Sequence, residues 1–185
     1  MRTYPDAYLL YLAHFHGDRD WFECHEILEE YWKSQPTDGK SSTWVGLIQI
    51  AVGLYHERRG NRVGAVKMLQ AALRNASPEV LTELGLDADE ALRRVQARSR
   101  ELEWWNTEQT EVPSTFQDMN LPIQDPMLLD QCMELCRRLG MEWEAGSHLD
   151  NQELIHRHTR RDRSDVIEAR QREAERRRQQ RGVER

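Results

Sequence analysis

Residues 44–56, WVGLIQIAVGLYH, decide the fold. They follow the period of an α-helix and are apolar around almost the whole circumference, which a protein in water tolerates only for a helix enclosed by other helices. The small and polar residues of this helix are spaced by three, four and three positions and so form one stripe: Gly46, Gln49, Gly53 and His56. Because glycines allow a close approach, we predict a central helix whose stripe faces a neighbouring helix.

The preceding segment, WFECHEILEEYW at 21–32, is the expected neighbour. His25 and Glu29 lie one helical turn apart on the same side of it. A short loop joins the two helices, so they should pack as an antiparallel pair and bring His25 and Glu29 against the stripe. Buried carboxylates and imidazoles need partners, which this arrangement would supply. We therefore predict a buried polar cluster of His25, Glu26, Glu29, Gln49 and His56, with Trp21, Trp32, Trp44, Gly46 and Gly53 packed around it.

Helix periodicity continues along most of the chain, and no stretch alternates with the period of a β-strand. Residues typical of helix starts precede several segments: Asp18 or Asp20 for the second helix, Ser42 or Thr43 for the third, and Ser77 and Asp87 for later ones. The predicted fold class is all-α: a small helical bundle of antiparallel helix pairs with an extra C-terminal helix and a charged tail. The predicted parts are a bundle core at 1–105, an extended linker at 106–124, an additional helix packing on the bundle at 125–140, and a polar, basic, mobile tail at 141–185.

The composition predicts a cytoplasmic protein. The three cysteines lack metal-binding spacing and suggest reduced thiols, and the start of the chain shows no cleavage site of a signal peptide. The longest apolar run is too short to cross a bilayer, so no membrane partner is expected. The net charge is −6, although residues 157–185 hold eleven arginines against six acidic residues. This basic tail has no aromatic side chain on which a base could stack, which argues against RNA as the partner.

The predicted cluster has three open interpretations. As a metal site, His25 and Glu29 would chelate a divalent ion with His56 as the third ligand, in a hydrolase-like centre with a free position for water. The pattern is neither the H-E-x-x-H zinc signature nor the di-iron bundle pattern. As an acid–base pair, the carboxylate would orient the imidazole. As a structural network, the same side chains would fix the helix pairing, and this is the interpretation that we favour.

Two blocks of the sequence carry a family resemblance: FHGDRDWFECHEILEEYW at 15–32 and WVGLIQIAVGLYHERRGNRVGAVKMLQAAL at 44–73. Together they resemble the bacterial and archaeal family called domain of unknown function 309, over roughly residues 4–75. The later FQDMNLPIQDP is similar to the longer, Bacillus-type form. The resemblance implies a small all-α bundle with motif positions His25, Glu26, Glu29, Trp32, Gln49 and His56. It implies no activity.

Whether the protein is an enzyme stays open, because no nucleophile stands in a recognisable catalytic motif. The expected function is a structural or protein-interaction role, with another protein or a second copy of the chain as partner. The alternative is a metal-dependent, hydrolase-like site at His25, Glu29 and His56.

Overall fold

The computed structural model describes residues 3–35, 39–107 and 116–156. These residues form no β-strand, and an isolated antiparallel bridge joins Leu86 to Ile123. The all-α prediction is confirmed. Contacts divide the chain into the units Met1–Ile155 and His156–Arg185, and the fold and sites below belong to the first unit. The helices of the described residues are α1 (Asp6–His16), α2 (Trp21–Ser34), α3 (Ser41–Arg58), α4 (Arg62–Asn75), α5 (Pro78–Glu83), α6 (Ala88–Thr107), α7 (Pro126–Arg138) and α8 (Gln152–Ile155).

Several helices begin where the sequence signals a start. The side chain of Asp20 accepts a hydrogen bond from the backbone N of Glu23, and that of Asp87 accepts one from the backbone N of Glu90, each at 3.0 Å. These bonds satisfy N–H groups that a helix N-terminus leaves without partners. Ser77 caps α5 in the same way. The start signals thus mark where α2, α5 and α6 begin. The predicted cap of α3 was wrong, because that helix begins at Ser41 after Lys40 and has no side-chain cap.

α3 is the centre of the bundle. It packs on both α2 and α4, while α4 also packs on α6, and α1 packs on α2 and α7. Buried residues occur along the whole length of α3, as its apolar circumference predicts. The hydroxyl groups of Tyr8 and Tyr11 are buried and donate to the carbonyls of Leu84 and Leu47, so both hydroxyls keep a hydrogen bond within the core. No helix of the described ranges has both the length and the apolar character that crossing a bilayer requires.

Two segments that the sequence assigns to a linker and a tail lie on the bundle. Met119 and Leu121 are buried in the stretch that precedes α7. Beyond α7, the ring of Trp143 stacks on the imidazole of His16 at 4.5 Å, and Ile155 is buried. The apolar residues of these segments are few and far apart, so periodicity does not reveal them. The remainder of the predicted linker, 108–115, and the basic tail, 157–185, lie outside the described residues.

Candidate functional site

The glycines of the α3 stripe face α4. A Cβ atom on Gly46 would come within 2.9 Å of the backbone N of Ala76, and a Cβ atom on Gly53 would come within 2.8 Å of Leu69 Cδ2. Both distances are shorter than real Cβ contacts, so glycine at these positions is what allows the two helices to lie so close.

The polar members of the stripe also bond to α4 and its start. Gln49 Oε1 accepts a hydrogen bond of 2.9 Å from Asn75 Nδ2, and His56 Nδ1 accepts one of 3.2 Å from Asn61 Nδ2. The stripe thus pairs α3 with α4. Gln49 and His56 do not face the histidine and glutamates of α2, and the predicted five-residue buried cluster is divided between two places.

The wrong neighbour was predicted for a physical reason. Residue spacing shows that a stripe exists, but a helix that is apolar all round has neighbours on several sides, and loop length alone does not choose between them. A signal for α4 was present in GAVKMLQAALRNA, because its buried alanines, Ala65, Ala72 and Ala76, make a surface that a glycine-bearing helix can approach closely.

Replacing Gly46 with Ala is expected to destabilise the protein by about 1–3 kcal/mol, because the added methyl group meets the backbone at Ala76 and forces α3 and α4 apart. Helix propensity alone would give the opposite sign, by about 1 kcal/mol in favour of Ala. Gly53→Ala should cost less, because the methyl group meets a leucine side chain that can rotate. Urea unfolding of the two variants checks this, and a stabilised Gly46→Ala protein would contradict the α3–α4 packing.

His25, Glu26 and Glu29 form a separate group on the outward side of α2. His25 Nδ1 lies 3.1 Å from Glu26 Oε1, and His25 Nε2 lies 3.8 Å from Glu29 Oε2. The other oxygen of Glu29 pairs with Lys33 Nζ at 3.1 Å. The side chains of the three residues are 27%, 34% and 35% exposed. The imidazole therefore sits between two carboxylates at the surface rather than in the core.

This group can offer three ligands to one ion. One ligand atom from each of His25, Glu26 and Glu29 lies within 4.8 Å of the others, and the described residues contain no other such group of three. Because His56 is bonded to the start of α4, the predicted ligand set of His25, Glu29 and His56 is not assembled, and the hydrolase-like alternative loses its site. Glu26, and not His56, offers the third ligand beside His25 and Glu29. An imidazole with two carboxylates is a donor set that divalent transition metals accept.

The tryptophans predicted to surround the cluster serve the packing of the bundle instead. Trp21 is fully buried, with the guanidinium of Arg58 4.5 Å above its ring. Trp44 is buried between two tyrosine rings. Trp32 Nε1 donates to Ser41 Oγ at 2.6 Å and so links the end of α2 to the start of α3.

Four arginines hold the segments after α6 against the bundle, and we call them the arginine clamp. Each donates to a main-chain carbonyl: Arg19 Nε to Ala145 O (2.7 Å), Arg58 Nη2 to Leu154 O (3.3 Å), Arg94 Nη1 to Asn120 O (2.9 Å) and Arg98 Nη2 to Gln117 O (3.0 Å). Arg58 Nη1 also donates to the carbonyl of Arg19 at 2.7 Å.

Burial beside the clamp shifts two pKa values in opposite directions. His16 is 1% exposed and neither ring nitrogen has a hydrogen-bond partner among the described residues; burial, with Arg19 and Arg94 nearby, lowers its pKa to about 3. Burial raises the pKa of Glu57 to about 7, although Arg98 at 3.4 Å opposes this shift. In both cases the uncharged form is favoured because the surroundings exclude water.

The cysteines are packing residues. Cys24, Cys132 and Cys136 are free thiols in the core, and burial raises the pKa of each. A thiol with a raised pKa holds little of the nucleophilic thiolate at neutral pH. Cys132 and Cys136, at 0% and 1% exposure, are small buried residues of the bundle.

Comparison with known proteins agrees with the resemblance seen in the two sequence blocks. A family model described as domain of unknown function (DUF309) matches residues 8–68, which span α1 to α3 and the first half of α4. Over 180 residues the chain is 43% identical to "Uncharacterized protein YpuF" of Bacillus subtilis (strain 168), and the match covers 96% of this chain and 99% of that protein. No solved structure matches the chain. The chain belongs to the DUF309 family, in a longer form that extends well beyond the residues matched by the family model.

Proposed function

We propose that this protein is a cytoplasmic, non-catalytic helical module that binds a protein partner through the outward side of α2. The observation that carries the proposal is the surface position of His25, Glu26 and Glu29, which lie within the family-matched residues yet take no part in the core. A cytoplasmic setting is supported by three free cysteines, which are usual in a reducing compartment.

The charge of α2 favours a basic partner. Glu23, Glu26 and Glu30 are spaced by three and four residues and so share one side of the helix, and Glu29 lies next to them. An array of carboxylates attracts lysine and arginine side chains and raises the rate of encounter with a basic surface. His25, held between two of these carboxylates, adds a ring that can donate a hydrogen bond.

The test compares two matched double variants of the full chain. Glu26→Gln/Glu29→Gln removes two negative charges from α2, and Asp130→Asn/Glu134→Gln removes two from the exposed side of α7. Both should change the free energy of unfolding by no more than about 1 kcal/mol, because partly exposed ion pairs contribute little. Cross-linking in cells that express the protein identifies the partner, which is then purified for affinity measurement. The α2 double variant should bind this partner at least tenfold more weakly, whereas the α7 double variant should not. High salt should also weaken binding by the unchanged protein.

Two outcomes would contradict the proposal. One is a partner that binds both double variants as well as the unchanged protein. The other is turnover of a small molecule that stops when the α2 carboxylates are neutralised, which would make the group catalytic. A partner that proves to be a second copy of the chain would support the same surface, with the oligomeric mass as the readout.

The three-ligand geometry favours a second candidate function, the binding of a divalent cation by His25, Glu26 and Glu29. In the same set of variants, calorimetric titration with Mn²⁺ and with Zn²⁺ should give about one equivalent bound to the unchanged protein. The α2 variant should bind at least tenfold more weakly and the α7 variant equally well. Equal binding by all three proteins would dismiss this candidate and leave the partner-binding proposal standing.

A further inference from the structure

The outward side of α4 is basic. Lys67 and Arg74 are both exposed and lie seven residues, or about two turns, apart on one side of the helix. No carboxylate of the described residues forms an ion pair with either of them, and the sequence holds no aspartate or glutamate between Glu57 and Glu79. Two cations without counter-ions, held at a fixed distance on a helix, attract an acidic surface of matching spacing.

An exposed tryptophan lies beside the midpoint between these two cations. Gln70, which lies between them on α4, donates a hydrogen bond to Glu103 of α6. Trp104, the next residue, is 50% exposed, and Trp105 packs against its ring edge to face at 4.9 Å. A large aromatic side chain at the centre, with charged groups around it, is the usual arrangement of a protein-binding surface. We call this surface of α4 and α6 the basic face.

α2 carries the complementary pattern. Glu23 and Glu30 are also seven residues apart on one side of their helix, and half-buried Ile27 lies between them. At a rise of ~1.5 Å per residue, the two acids of α2 and the two cations of α4 each span about 10 Å. When α2 of one copy lies along the basic face of another, two ion pairs can form at once, with Ile27 against Trp104 between them. The exposed acids of α7 do not match, because they are only four residues apart.

We propose that the partner of α2 is a second copy of this chain, which binds through its basic face. This inference rests on the proposed function and adds to it the identity of the partner. Both α2 and α4 pack on α3, and the two faces are different surfaces of one protomer. A contact between two different surfaces is head-to-tail, so it either closes into a ring or extends as a chain.

The experiment is sedimentation velocity of the full chain at about 10–500 μM, a range that suits a small, weak contact. The average mass of the unchanged protein should rise with its concentration. Raising NaCl from about 0.05 M to about 0.5 M should suppress this rise, because salt screens charges at the surface.

Charge reversal then identifies the two faces. Glu23→Lys/Glu30→Lys on α2 and Lys67→Glu/Arg74→Glu on α4 should each weaken self-association at least tenfold. An equal mixture of the two variants should associate again, because the reversed α2 of the first variant then meets the reversed α4 of the second. This recovery would not occur if either change had merely damaged the fold.

Two further variants serve as controls. Asp130→Lys/Glu134→Lys reverses two charges on the exposed side of α7 and should leave self-association unchanged. Trp104→Ser keeps every charge of the basic face and should weaken self-association at least fivefold, because it removes the apolar centre of the contact. Thermal unfolding checks that all the variants are folded.

A protein that stays monomeric over the whole concentration range would overturn the inference, whereas recovery of a different, basic protein by cross-linking would still support the proposed function. Self-association that persists after the α4 reversal would also overturn it, because the arginines of 157–185 or another surface would then meet α2. So would a mixture of the two reversed variants that fails to associate. Binding of single-stranded RNA that the α4 reversal abolishes, without any rise in mass, would overturn it by assigning the basic face to nucleic acid.

Discussion

Acidification from pH 6.5 to about pH 4 is expected to lower the free energy of unfolding by about 3 kcal/mol through His16 alone. The unfolded chain binds a proton at this imidazole near pH 6.5, whereas the folded protein binds it only near pH 3. Between these values the unfolded state holds more protons, so stability falls as the pH falls. The cause is the cost of an imidazolium that is 1% exposed and has Arg19 and Arg94 for neighbours. Glu144 lies 4.0 Å from Nδ1, too far for a hydrogen bond, and is itself half exposed.

The measurement is urea unfolding at a series of pH values for the unchanged protein and for His16→Phe. Phenylalanine keeps a flat ring against Trp143 but cannot take up a proton. The stability of the variant relative to the unchanged protein should therefore increase by about 1.4 kcal/mol for each pH unit below 6.5. His148→Phe, at an exposed position, is the control. A difference between the His16 variant and the unchanged protein that stays constant with pH would show that the folded protein accommodates the charge.

Arg58→Ala is expected to lower the free energy of unfolding by about 2–4 kcal/mol, through lost hydrogen bonds and lost packing. The guanidinium donates to the carbonyls of Arg19 and Leu154 and covers the ring of Trp21 at 4.5 Å. Its removal leaves two carbonyls without donors in a water-poor place and opens a void above the ring. Arg58→Lys should recover only part of the loss, because an ammonium group cannot cover the ring and reach both carbonyls with the planar geometry of a guanidinium.

Urea unfolding measures how much Arg58→Ala lowers the free energy of unfolding, and hydrogen exchange shows which part of the protein is destabilised. Exchange should accelerate most between residues 141 and 155, which the arginine clamp holds to the bundle. Arg137→Ala is the control, since this exposed arginine pairs with Glu134 of its own helix, and its loss should cost about 0–0.5 kcal/mol. If the two alanine variants prove equally stable, Arg58 does not hold the segment.

Much of the fold could be predicted because its information is local. Capping residues such as Asp20 and Asp87 act within one helical turn, and the apolar circumference of α3 identifies the central helix without any knowledge of its partners. The chemically distinctive residues of the candidate site were also apparent from their types and spacing in the sequence. Their mutual placement was not, because the pairing of Gly46 with Ala76 depends on which of two neighbours packs closer, and that is decided by the shape of both surfaces.

The clamp could not be predicted for a related reason. Arg19 and Ala145 are far apart in the chain, and no periodic pattern marks an arginine that donates to a distant main-chain carbonyl. The ion pair of Lys40, which precedes α3, with Glu83, at the end of α5, likewise joins residues far apart in the chain. Each looks like an ordinary surface residue in the sequence. Information of this kind appears only once the chain is folded.

Because the arginine clamp binds main-chain carbonyls, the amino-acid sequence of the segment that it holds can vary widely. Every amino acid carries a peptide carbonyl, so contacts at Ala145 O and Leu154 O recognise the path of the main chain and are indifferent to the side chains along it. Apart from anchoring positions such as Trp143 and Ser147, whose side chains make contacts of their own, this stretch can drift in composition or be rewritten by a protein engineer while its attachment persists. It offers a place to graft a foreign peptide onto a helical scaffold without redesigning the scaffold.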